Sequence, residues 1–162
     1  MSRTTIWNVY RTKATFHSEL HNSWHSAPPI WDYLCEMYLD GRKWLHHDDN
    51  GEMWDLWKNK EIPDFLRCSF LLTFDWSIAK VDDLPQVAEY CRLTHQFLST
   101  INDYGSHWES IADAFIDIWF RHDYRLIGVA LGCTSVSDPW WNYNGETQFF
   151  AVMDGVKEIS CV

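Results

Sequence analysis

The chain has 162 residues, 17% of them aromatic and eleven of them tryptophan, the usual size of one compact domain and enough for a core without disulfide or metal staples. Thirteen Lys and Arg against 23 Asp and Glu leave a net charge of −10, a field that repels phosphates and anionic membrane surfaces and disfavours direct nucleic-acid binding. Five single cysteines, Cys35, Cys68, Cys91, Cys133 and Cys161, do not make a secreted disulfide framework, and no segment approaches the ~20 apolar residues of a membrane span.

MSRTTIWNVYRTK lacks the apolar run of a signal peptide, so the expected setting is cytoplasmic. Thr5-Ile6-Trp7-Asn8-Val9-Tyr10 alternates weakly among β-branched and aromatic types and predicts a short N-terminal strand. Residues 13–25 then read as a helix, with Phe16, Leu20 and Trp24 recurring every four, ended by Ala27-Pro28-Pro29. The next helix carries Ile30, Tyr33, Leu34, Met37 and Tyr38 at i, i+3, i+4 spacing, accommodates Pro29 in its first turn and closes at Asp40-Gly41.

WLHHDDNG, residues 44–51, reads as a loop, followed by a short helix over 51–59 and a strongly apolar one over 63–79. Asp83 is placed to cap a helix with Pro85 in its first turn and Val87, Cys91, Thr94, Leu98 and Ile101 on its inner face. Ser106-His107-Trp108-Glu109 has the form of a capping box and opens a helix over 107–121. Beyond it the period changes. Strands are predicted near 125–133, 139–143, 146–153 and 156–161, with Asn144-Gly145 and Asp154-Gly155 as type I′ hairpin signals. The expected architecture is one α+β domain over 1–162. About five to six helices, mainly within 1–124, precede a C-terminal antiparallel β-meander over 125–162, which the N-terminal strand can join.

His17, His21 and His25 step by four. On a helix they would share one side, and an HxxxH pair can hold one Zn²⁺. The rise of ~1.5 Å per residue keeps the outer two about 12 Å apart, too far for one ion. Each histidine directly follows a member of the Phe16/Leu20/Trp24 stripe, which fits a semi-buried boundary row better than a ligand row. His46-His47-Asp48-Asp49 is the strongest enzymatic lure, since a His-Asp doublet joined by further His and Asp can hold two ions that activate water. Over those few residues it resembles the doublet of HD-type phosphohydrolases, an all-helical family. The turn-forming Asn50-Gly51 and the predicted C-terminal sheet depart from that pattern. A metal-dependent hydrolase using His17, His21, His46, His47 and Asp48 is therefore the alternative reading. No GxSxG elbow, Walker loop or GxGxxG is present, and no cofactor is implied.

The acidic features carry the leading reading. Residues 44–64 hold six acidic against two basic side chains, and 103–124 hold five against one. Within the second zone Glu109, Asp113 and Asp117 step by four, about 6 Å apart along a helix, close to the ~7 Å between phosphates along a nucleic-acid strand. Trp54 and Trp57 punctuate the first zone beside Asp48 and Asp49, and Trp140, Trp141 and Tyr143 flank the Asn144-Gly145 turn. Tryptophans among carboxylates suit a basic macromolecular partner. The expectation is a non-enzymatic binding module, an inhibitor or nucleic-acid mimic that captures a basic protein or nucleoprotein complex, as an anti-CRISPR or antirestriction protein of a phage would. A homodimer that buries exposed tryptophan pairs is a third option.

Overall fold

The computed structural model describes residues 3–46, 51–74, 77–102, 105–133 and 150–160, with the side chains of 158–160 outside the description. Strand β1, Arg3–Tyr10, turns through Thr12 into β2, Ala14–His21, closed by the Tyr10 amide donating to the Lys13 carbonyl at 2.9 Å. A single 3-10 turn, Ser23–His25, leads into helix α1, Ala27–Tyr38. Then come α2 (Gly51–Trp54), α3 (Asp64–Leu72), β3 (Ser77–Lys80), α4 (Leu84–Leu98), α5 (Trp108–Arg121), β4 (Leu126–Gly132), β5 (Phe150–Ala151) and α6 (Val152–Ser160).

The protein is α+β; its described residues form six helices and one five-stranded mixed sheet of order β2-β1-β4-β3-β5. All neighbours are antiparallel except β3 and β5, which run parallel. Ile6, Ala79, Val129 and Leu131 turn one sheet face into the main core, where they join Leu34, Leu66, Phe70, Val87, Cys91 and Phe115 from the helices. Val9, Ile78 and Ala130 form a small second cluster on the opposite face, as the two-residue period of strands requires.

The first-turn prolines of α1 and α4, the N-terminal strand, and α5 are found where the sequence places them. The C-terminal antiparallel meander is not. Among the described residues the strands lie at the N-terminus and in the middle of the chain apart from the two-residue β5, the sheet is mixed, and residues 152–160, predicted to end one strand and form another, are helix α6. Asp154-Gly155 is a helical dipeptide rather than a hairpin turn. A Cβ on Gly155 would fall 2.4 Å from Phe150 Cζ, so the glycine serves close packing instead of a positive φ. The predicted strand 139–143 and the Asn144-Gly145 turn lie outside the described residues.

Residues 13–25 form β2 and a 3-10 turn, not a helix, because a spacing of four is a multiple of the strand period as well as nearly one helical turn. A bulge at His17, opposite the Ile6 to Trp7 step, shifts the phase so that Phe16 pairs with Trp7 and Leu20 with Thr4. The predicted 63–79 helix stops at Leu72. Thr73 Oγ1 donates to the Phe70 carbonyl at 2.6 Å and Ser77 Oγ to that of Leu71 at 2.6 Å, satisfying last-turn acceptors and freeing the chain to enter β3. At the start of α5 the expected capping box is also replaced. Ser106 Oγ accepts from the Trp108 amide at 3.2 Å, while Glu109 reaches His95 at 3.6 Å instead of turning back.

Candidate protein-binding surface

Helix α5 buries Trp108, Ile111, Ala112, Phe115 and Ile118, which sends Glu109 and Asp113 to the exposed side and leaves Asp117 half-buried at its border. Each of the three carboxylates has a neighbour, and those of Glu109 and Asp113 come from another helix, where helical spacing alone could not show them. Glu109 Oε2 lies 3.6 Å from His95 Nε2, Asp113 accepts from Arg92 of α4 at 3.0 Å, and Asp117 pairs with Arg121 at 2.9 Å. The pairs are solvent-exposed, the setting in which ion pairs contribute about 0–1 kcal/mol and exchange readily.

The acidic stripe runs into aromatic surface. Phe120, three residues beyond Asp117, is 74% exposed, Tyr124 is 94% exposed, and the Trp119 and Phe120 rings meet edge-on at 4.9 Å. Large apolar rings left in solvent beside charged groups have the make-up of a protein contact. Phe120 and Tyr124 are not among the aromatics that the sequence marks as contacts, which cluster in the 48–64 segment and around the Asn144-Gly145 turn. The available signal was Phe120 falling on the polar stripe of a helix whose apolar face was already complete.

Trp54 is wedged against Trp31, Phe70 and Phe74, with centroids 5.2–6.2 Å away, so much of its ring serves as a lid on the core. Trp57 is half-buried, edge-on to Phe150 at 5.3 Å. Asp48, Asp49, Trp140, Trp141 and Tyr143 lie outside the described residues, as does His47. His17 and His21 lie on β2, where four residues span about 13 Å, so the helical stagger that would let them share an ion is lost. His46 is exposed in the 3-10 turn Trp44–His46. Among the described residues, no three His, Cys, Asp or Glu side chains come together where they could hold a metal ion.

A cleft of about 770 Å³ opens between the 3-10 turn, α1 and the C-terminal end of α4. Trp24, 53% exposed, stands at its mouth, with Asp32, Glu36 and Tyr33 of α1, Lys43 and Ile101 around it. Asn22 holds a left-handed backbone, φ 66°, at the exit from β2. The cleft adjoins the start of α5. His25 stacks on His107 at 5.3 Å, and His107 Nε2–H donates to the carbonyls of His21 at 2.7 Å and Asn22 at 3.0 Å. Two carbonyl acceptors require that nitrogen to carry the proton.

Cys35, Cys68, Cys91 and Cys133 are buried. Burial, with Asp32, Asp40 and Glu36 nearby, pushes the Cys35 thiol up to about 11, and burial also drives those of Cys68 and Cys91 upward. A thiolate is the reactive form. Native protein at neutral pH is therefore expected to leave Cys35, Cys68 and Cys91 unmodified by an aromatic disulfide reagent and to expose them on unfolding. Peptide mapping after brief labelling checks this, and rapid labelling of any of the three in folded protein would overturn it.

Fold and surface together define an α+β protein whose helical layer presents an acidic, aromatic-ended helix beside an acidic cleft. No family model matches the chain, and no curated protein or solved structure matches it. Among the described residues, no helix is long and apolar enough to cross a membrane.

Proposed function

We propose that this chain is an acidic, non-enzymatic binding module that captures a basic protein through the outer face of α5. The observation that carries the reading is the run of Glu109, Asp113 and Asp117 ending in the exposed rings of Phe120 and Tyr124. Carboxylates speed and orient the approach of a cationic partner, and exposed aromatics supply the desolvated anchors that hold it. A nucleic-acid-binding protein fits best as the partner class, because its groove already accepts negative charges at roughly the 6–7 Å spacing of this row. Binding there would make the module an inhibitor. Arg92 and Arg121 lace the row, so it is no bare copy of a phosphate backbone, and the partner's cations must replace two weak surface pairs.

Protamine, an arginine-rich protein, serves as the first probe in surface plasmon resonance. Reversing Glu109, Asp113 and Asp117 to Lys is expected to weaken capture about a hundredfold, and added salt to slow association. Replacing Phe120 and Tyr124 by Ala is expected to raise the dissociation rate about tenfold. Unchanged binding by a folded triple-lysine variant would remove α5 from the reading.

A further inference from the structure

We infer that the cleft beside α5 is the seat for an arginine side chain carried by an exposed segment of the basic partner. The inference rests on the proposed capture of a basic protein, but places a second contact on different residues. Trp24 is fixed along one side by Trp44, at 6.4 Å between ring centroids, yet more than half of it remains in solvent. Asp32 and Glu36 follow one another by one helical turn on the α1 wall. Glu36 has no ion-pair or hydrogen-bond partner among the described residues.

The chain itself shows what charge the cleft accepts. Lys43 Nζ lies 3.7 Å from Asp32 Oδ2, a long contact from a side chain that is 60% exposed. An incoming guanidinium can replace so loose a pair. Arginine suits the position better than lysine, because its flat cation stacks on indole and presents paired donors to a carboxylate. Tyr33 and Ile101 then cover the methylene stem. The His25–His107 stack joins this cleft to the N-cap of α5, so one partner can engage both contacts.

Calorimetric titration with an acetylated, amidated peptide of alternating Gly and Arg tests the seat, at about 0.15 M salt, where distant surface charges are screened. The same peptide with citrulline for arginine removes the charge and keeps the shape. The arginine peptide is expected to bind and the citrulline peptide not. Trp24→Ala is expected to weaken binding about fivefold and Glu36→Gln several-fold, and each by the same factor in the α5 triple-lysine background, since the two contacts lie on different residues. Both substitutions are at the surface, and thermal melts confirm that the variants fold.

Equal binding of the citrulline peptide, or of a neutral oligosaccharide, would overturn the inference in favour of an uncharged ligand. Arginine-peptide binding that is indifferent to Trp24→Ala and Glu36→Gln but lost in the α5 variant would overturn the cleft and leave the α5 reading standing. Failure of the arginine peptide to bind would also overturn the cleft. Capture of protamine through α5 decides the broader reading separately.

Discussion

Trp108→Ala is expected to lower the unfolding free energy by about 3–5 kcal/mol, a large share of the roughly 5–15 kcal/mol that holds a typical domain folded. Trp108 is the first residue of α5 and is wholly buried. Its indole N–H donates to the Ser26 carbonyl at 3.0 Å, and the Ser26 hydroxyl meets that of Thr4 at 2.7 Å. One side chain thereby ties the helix bearing the acidic row to the entry of α1, and through Ser26 to β1. Alanine would leave a cavity and a buried carbonyl without its donor, two costs that add. Trp108→Phe keeps much of the volume and loses only the hydrogen bond, so about 1–3 kcal/mol is expected. Urea titration followed by circular dichroism measures both. A loss under about 1 kcal/mol for the alanine variant, the range of ordinary surface changes, would show that α5 is not anchored this way.

The same helix shows what one-dimensional spacing can reveal. Its buried residues Ile111, Ala112, Phe115 and Ile118 and its acidic side follow directly from a 3.6-residue period, and the predicted 107–121 differs from the observed Trp108–Arg121 by one residue. The groups facing the carboxylates do not follow, because Arg92 and His95 arrive from α4 through tertiary packing. Prolines marked α1 and α4 for a local reason: a missing N–H is harmless only in a first turn.

Other elements were ambiguous in the sequence for equally physical reasons. Phe16 and Leu20 fit a helix or a strand, and the hairpin with β1 decides between them. Asp154-Gly155 has turn chemistry, yet Gly155 is required by the Phe150 ring against it. β5 is only two residues long, too short to show a period. The cleft was not legible at all. It gathers residues 22–43 with the end of α4, and no spacing rule spans that separation. The histidine row shows the opposite failure, a regular spacing whose chemical meaning vanished once the backbone proved to be a strand.

Gly128→Ala is expected to destabilise the protein by about 3 kcal/mol, the upper part of the usual overpacking range. A Cβ there would fall 2.2 Å from the Ala79 carbonyl oxygen, 3.0 Å from its carbon and 3.1 Å from Lys80 Cα. These are backbone atoms and cannot rotate aside. They belong to the seam where β3 meets β4, held by the pairs Ala79–Val129 and Lys80–Gly128. Through β3 that seam also carries β5, so one methyl group would force apart the two sections of the sheet. Gly132→Ala is the control, since its Cβ would meet nothing nearer than Trp7 Nε1 at 3.5 Å. Relief of glycine's backbone entropy would favour alanine in both places by roughly 0.5–1 kcal/mol, so only the steric contact can separate the two variants. Hydrogen exchange should show faster opening at Ile78–Lys80 and Val129 in Gly128→Ala alone. Equal stability of the two variants would mean that the seam yields without cost, and the close approach of β3 to β4 would then not be what makes Gly128 a glycine.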